Sequence, residues 1–424
     1  MSEKHFDVLV IGAGPAGSTA ALVLAREGVR VALVDKAMFP RDKACGDLIG
    51  PRGVQVLEDL KIKFPDARPV RDMVVVGPTG RRVTLPFQAG TTYPGLALAV
   101  PRMRFDAALL ETAMAAGAQL FTGRAAGPLY DENGQVQGFA LATGQHLRAD
   151  FVIGADGATS AVAEAARLAD KARVLWGFAL RSYTEDVVSS PHIVFWEPSR
   201  WRGFPGYGWI FPGLDGNSNV GLGVGVLSHR SAGARASAEF DEFTKHLSDL
   251  HLLNGTRCRP ERGDRLGGWL KMGSIGTVPA AGRVLLVGDA AGLVNPLQGE
   301  GIAQALFSAR AAAHAIIAKP QSAARDYRMS LGRAYAPYQR PAVAAQVALL
   351  PRPMVISALG RVLTAPGLSA ALAGGWSIYW NDLLDGARPG VPRAAATIIG
   401  HLARAATSLT GTRRWFSELQ SSER

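Results

Sequence analysis

Gly12, Gly14 and Gly17 stand in the run GAGPAG at residues 12–17, a spacing that lets a pyrophosphate approach the backbone closely. Gly12 permits a tight turn, Gly14 leaves room for the phosphates, and Gly17 lets a helix pack close to the preceding strand, with Ala16 inside the same turn. Eighteen residues after Gly17, Asp35 offers a carboxylate to ribose hydroxyls, with Lys36 beside it. The chemistry implied is dinucleotide binding. A glycine triplet alone is a weak signal, so the flanking elements decide. FDVLVI at 6–11 reads as a buried parallel strand, STAALVLAREG carries apolar residues at helical spacing, and VRVALVD is a second strand ending at Asp35. That order turns the free N–H groups of a helix start toward the phosphates. It does not separate a nicotinamide from a flavin dinucleotide.

Two distant segments narrow the choice. FVIGADGATS at 151–160 is an apolar strand ending in a Gly-Asp-Gly turn, and RVLLVGDAAGLVNPLQGEGI at 283–302 is a third strand followed by a second glycine-rich loop. With the N-terminal unit this set resembles the FAD-dependent oxidoreductases of the aromatic-hydroxylase type. The resemblance implies that Asp289 holds the ribityl and pyrophosphate region. It also implies that the loop Pro296 to Ile302, with Gly299, Gly301 and Ile302, lies along the pyrimidine edge of the flavin ring. There the amides at a helix start stabilise a reduced flavin anion. By the same resemblance Asp156 helps bind FAD and is linked to NAD(P)H, and Arg102, opening the helix in VPRMRFDAALLETAMAAGA, touches the flavin. The plain alternatives are turn capping for the two aspartates and a surface position for the arginine. GLGVG at 221–225 reads as glycines within a sheet, so NAD(P)H or another reductant is expected to dock only transiently.

FPRDKACGDLIGPRGVQVLEDL at 39–60 and PGYGWIFP at 205–212 resemble the geranylgeranyl reductase family, whose members reduce isoprenoid double bonds with FAD. The second segment carries Pro205, Tyr207, Trp209, Phe211 and Pro212 in that family's pattern. Read from the residues alone, Tyr207, Trp209 and Phe211 share one face of a strand by the two-residue period. Such a face lines an apolar pocket or belongs to a domain core. Cys45 follows Arg41 and Lys43 and precedes Gly46, and positive neighbours are expected to lower its thiol pKa. The resemblance places Cys45 on the substrate side of the flavin. Asp47 is positioned to cap a turn. An unactivated alkene needs an acid as well as a hydride donor, and Cys45 and Tyr207 are the candidates, with Trp209 beside them. Flavin halogenases carry Trp-x-Trp-x-Ile-Pro at this strand and a lysine between the dinucleotide turn and that motif. Here Tyr207 and Phe211 replace the Trp and Ile, and no lysine stands between 64 and 170. A hydroxylase or epoxidase on the same scaffold is the main rival reading, and a flavin-binding redox sensor is another.

The 424 residues suit two to three domains, and 48% hydrophobic residues exclude a disordered chain. Cys45 and Cys258 cannot staple such a fold, and no Cys/His cluster has metal-ligand spacing, so no metal is expected. The expected fold is α/β: a Rossmann-like FAD-binding domain of the aromatic-hydroxylase type from 1–70, 100–165 and 273–325, an inserted mixed-sheet substrate domain from 71–99 and 166–272, and a helical C-terminal region from 326–424. The early acid Asp7 and the short apolar run after it argue against a signal peptide, and glycines and Pro366 make 362–381 a poor membrane span. A cytoplasmic protein is expected. The net charge is +11, and residues 331–424 hold ten Arg, no Lys and four acids. No nucleic-acid motif accompanies that charge. Arg333, Arg340, Arg352, Arg361, Arg388, Arg393, Arg404, Arg413 and Arg414, interleaved with Trp376, Tyr379, Trp380 and Trp415, are expected to rest on the anionic inner face of a membrane, or else to form a solvated surface.

Overall fold

The computed structural model describes residues 3–196, 206–226, 232–254, 265–350, 352–365 and 369–409; Pro205, Cys258, Arg413, Arg414 and Trp415 lie outside them. The centre is an eight-stranded sheet whose main path runs Ala280–Ala281, Val284–Leu286, His146–Gly154, Glu3–Ile11, Val31–Asp35 and Gln119–Thr122. Apart from the edge pair Ala280–Ala281 with Val284–Leu286, the strands of this path run parallel. Val8, Leu9 and Val10 are fully buried, which is why this strand reads as a continuous apolar run and not as an alternation. Ile11 pairs with Val34 on one side and Gly154 on the other, and Gly154 pairs in turn with Leu286. The chain therefore leaves the sheet at one common edge after each of these strands. The turns that begin at Gly12, Ala155 and Val287 emerge side by side there.

A second, seven-stranded mixed sheet runs Leu266–Met272, Leu175–Thr184, Ser218–Val226, Gly206–Pro212, His192–Val194, Asp72–Val76 and Arg82–Pro86. One face carries Ile210, Val220 and Leu222 into a core with Phe240, Phe243 and Leu247 of the helix Ala232–Asp249. The other face carries Tyr207, Trp209 and Phe211. Glycines make this two-sided packing possible: a Cβ on Gly208 would stand 2.0 Å from the Phe243 ring, and one on Gly221 would stand 2.1 Å from the Trp209 ring. GLGVG is thus a strand interior, with Gly221 and Gly223 flooring the space the Trp209 ring occupies.

A small third sheet, Leu48–Ile49, Ala97–Ala99 and Arg68–Val70, was not anticipated from the sequence. The C-terminal region forms the helices Ala323–Ala344, Pro353–Leu363, Ser369–Trp380 and Val391–Leu409. Among the described residues no helix is long and apolar enough to cross a membrane. Substituting Gly221 by Ala should cost about 1–3 kcal/mol in chemical denaturation, because the Trp209 ring has no room to retreat. Gly127→Ala, with nothing within 4 Å, should leave stability nearly unchanged.

Candidate active site

At the common sheet edge Gly12 has φ +102°, and a Cβ there would stand 2.3 Å from the Ala155 carbonyl oxygen. A Cβ on Gly17 would stand 1.7 Å from the Gly12 carbonyl oxygen, so only glycine lets the helix Pro15–Arg26 seat against the strand. Gly14 caps that helix with no side-chain acceptor, leaving its first amides facing outward. Ala16 is buried in the first turn, its methyl 3.3 Å from where a Cβ on Gly288 would be. The Asp35 carboxylate accepts the amides of Ala13 at 2.7 Å and Ala37 at 2.8 Å, which holds it at the strand end while lone pairs stay free for hydroxyls. Lys36 is exposed. Arg41 is a residue whose placement the sequence did not reveal. Its guanidinium lies 3.4 Å from the Cβ position of Gly14, stacks on Phe39 and pairs with Asp106 at 3.0 Å, which sets a cation beside the phosphate turn.

The far end of the site is a cavity walled by Cys45, Gly46, Arg102, Tyr207, Trp209, Phe211, Asp289 and the loop Pro296 to Ile302. Asp289 is half-buried in the 3-10 turn Gly288–Ala291. Behind that turn the buried Lys271 donates to the Ala290 carbonyl at 2.7 Å, and burial pulls its ammonium down to about 8. Gly299 has φ +69°, and Gly301 caps the helix Ile302–Ala318, again with no side-chain acceptor. The loop is self-braced: Asn295 Oδ1 accepts the amides of Leu297 and Gln298, and its own N–H donates to the Glu300 carbonyl at 2.9 Å. Glu300, between the two glycines, also faces the cavity; its Oε1 accepts the Gly50 amide at 3.2 Å, and burial raises it to about 7.

Between the two ends lies a buried polar hub that the sequence showed only in part. Asp47, at φ +59°, accepts the Arg102 amide at 3.1 Å, the Asn219 side-chain amide at 2.9 Å and the Tyr183 hydroxyl. Asn219 also donates to the Cys45 carbonyl at 2.8 Å and accepts the Trp209 indole N–H at 2.9 Å, so one side chain fixes the tryptophan against the Cys45 turn. Arg102 is buried and bidentate to Asp106 at 2.7 Å through both nitrogens, which raises its already high pKa and excludes the surface position. The expected activation of Cys45 is corrected. Burial pushes its thiol up, the cation opposing that shift is Arg102, and Arg41 is turned toward Asp106. Asp156 caps a turn: it accepts from Ser160 Oγ at 2.5 Å and from the amides of Ala161 and Val162, which starts the helix Ala161–Ala165. Tyr207 donates its hydroxyl to the Gln298 carbonyl, and burial pushes the phenol up. The rings of Tyr207 and Phe211 stand 6.3 and 6.1 Å from that of Trp209, forming one continuous wall.

A glycine turn under one uncapped helix start, and a glycine loop under a second that opens on a cavity, fit a long dinucleotide whose ring lies away from its phosphates. The fold and site are those of a flavin-dependent oxidoreductase of the aromatic-hydroxylase type. Residues 5–347 match the FAD binding domain family. The chain is 35% identical over 316 residues to the menaquinone reductase of Mycolicibacterium smegmatis, covering 72% of this chain and 75% of that one. It is 32% identical over 327 residues to the geranylgeranyl diphosphate reductase of Rhodobacter capsulatus, covering 74% and 75%. In structure it is similar to a geranylgeranyl bacteriochlorophyll reductase-like protein of Thermoplasma acidophilum, with TM-score 0.70, 22% identity, and 94% and 100% of the two chains covered. The chain belongs to the FAD binding domain family and, within it, to the geranylgeranyl reductases, and its cofactor is FAD.

Alkylation of Cys45 in the folded protein, followed by peptide mass mapping to exclude Cys258, should be slower near neutral pH than in unfolded chain. It should accelerate only above the ordinary thiol range, because burial favours the neutral thiol. Rapid labelling near neutral pH would show an activated thiolate instead.

Proposed function

We propose that the protein reduces carbon–carbon double bonds of an isoprenoid chain. Bound FAD, once reduced by a transiently docking NAD(P)H or another donor, supplies the hydride. The observation that carries the reading is the composition of the cavity wall. Tyr207, Trp209 and Phe211 form one side, and Leu270, Met272 and Leu297 add further apolar lining. A long hydrocarbon is held by such a wall through area alone, and the same contact excludes water from the reacting carbons. Asn219 ties the Trp209 indole N–H to the Asp47 hub, which holds the ring in the wall. Gly46 is required where it is, since a Cβ there would press on Phe211 at 2.7 Å. The names of the two relatives, a menaquinone reductase and a geranylgeranyl diphosphate reductase, support an isoprenoid-bearing substrate.

A peripheral contact with a membrane is part of this proposal. Met354, Val362, Val391, Ile398 and Leu402 are exposed apolar residues on the C-terminal helices, and the last three recur at helical spacing beside Arg393 and Arg404. Point substitutions test it without disturbing the cavity, which Gln346 and Asn381 of the same region line. Ile398→Ser with Leu402→Ser should weaken flotation with anionic liposomes, as should added salt; binding unchanged in both would exclude the contact.

Product mass distinguishes the reductase from the oxygenase that shares its scaffold. Incubation of holoenzyme with reductant and geranylgeranyl diphosphate should raise the mass of the prenyl chain by two hydrogens per double bond. A gain of one oxygen would establish the monooxygenase reading.

A further inference from the structure

The turn after the helix Ser369–Trp380 reaches back to the flavin loop. Asn381 accepts the Gln298 side-chain amide at 2.5 Å, and Asp382, at φ +56° and 1% exposed, accepts the Asn295 side-chain amide at 3.2 Å and that of Gln304. Asn295 in turn donates its backbone N–H to the Glu300 carbonyl, so Asp382 is one residue removed from the segment that carries Glu300. Glu300 borders the cavity; Asp382 stands behind it.

The charges around this pair do not balance. The helix Pro51–Asp59 contributes Arg52, whose guanidinium already pairs with Asp385. The helix Ala323–Ala344 contributes Tyr335 and Tyr338, phenols that burial keeps neutral. Arg310 is engaged by Asp59 at 2.6 Å. From the strand Gly206–Pro212 comes only the Tyr207 phenol, whose hydrogen is donated to Gln298. Among the described residues one arginine thus faces three carboxylates; of the other two, Asp382 is buried and Glu300 half-buried at the cavity wall, and the groups that donate to them are amides. Like charges in such a place ionise together only at high cost, so the pair keeps a proton. Burial raises each to about 7, and the neighbouring carboxylate adds to it, Asp382 for Glu300 and Asp385 for Asp382.

We propose that Glu300 is the acid of the reduction, with Asp382 as a positioning residue that acts through it. The inference rests on the isoprenoid reductase reading above. The Glu300 O–H bond breaks as a C–H bond forms at one alkene carbon, and its electron pair stays on the carboxylate. The other alkene carbon receives hydride from the reduced flavin, which is thereby oxidised, and water reprotonates Glu300. Cys45 and Tyr207, the candidates drawn from the sequence, are then wall residues.

The test uses holoenzyme and geranylgeranyl diphosphate. Glu300→Gln should keep its flavin absorbance and its KM while kcat falls by about 10²–10⁴-fold. In Asp382→Asn the repelling charge is gone, Glu300 loses its proton more readily, and the alkaline limb of the kcat–pH profile should move to lower pH. A third readout needs no substrate. Both carboxyls bind more protons folded than unfolded, so wild-type stability should fall as pH rises from about 5 through 7, and each variant should flatten that fall. A wild type that reduces the probe beside a Glu300→Gln that does so equally fast overturns this inference alone, as does an alkaline limb unmoved in Asp382→Asn. A wild type that transfers no hydrogen overturns the reading beneath it.

Discussion

The register of the parallel strands is the constraint on which the site depends. Ile11, Gly154 and Leu286 sit in one row of pairings, so three turns separated by more than a hundred residues leave the sheet at the same level. A one-residue slip of any of these strands would reverse its buried face, and both faces here are covered. The core therefore holds the dinucleotide turn, the Ala155 turn and the Gly288–Ala291 turn in place together. Glycine is required at Gly12 and Gly17 for the same reason: the turns approach so closely that a single methyl has nowhere to go.

Much of this architecture was legible because it is written in local pattern. Apolar runs ending in glycine turns mark the central strands, and the two-residue period placed Tyr207, Trp209 and Phe211 on one face. The doubt about that face, pocket wall or domain core, is resolved by the intervening residues: Ile210 enters the core with Phe243, and Gly208 leaves the space for it. Asn219, Arg41 and Asp382 were not legible, because each acquires meaning from a partner far away in sequence. Asn219 lies 174 residues from the Cys45 carbonyl it holds. Asp156 and Asp289 sit in similar turns in the sequence, but one caps a helix and the other borders the cavity.

Burial outweighs sequence-neighbour charge throughout the site. Two basic residues before Cys45 suggested an activated thiolate; in the fold burial raises the thiol, against the opposing charge of Arg102. Lys271 is lowered and Glu300 raised by the same exclusion of water. That exclusion suits the chemistry assigned here. A hydrocarbon needs a dry wall, and an alkene that resists hydride needs a proton held ready beside it.

Anaerobic titration of the reduced holoenzyme with geranylgeranyl diphosphate tests the central claim most directly, because it removes oxygen and leaves the alkene as the sole acceptor. The flavin is expected to return to its oxidised spectrum in proportion to the double bonds saturated. A flavin that stays reduced until oxygen is admitted would contradict the account.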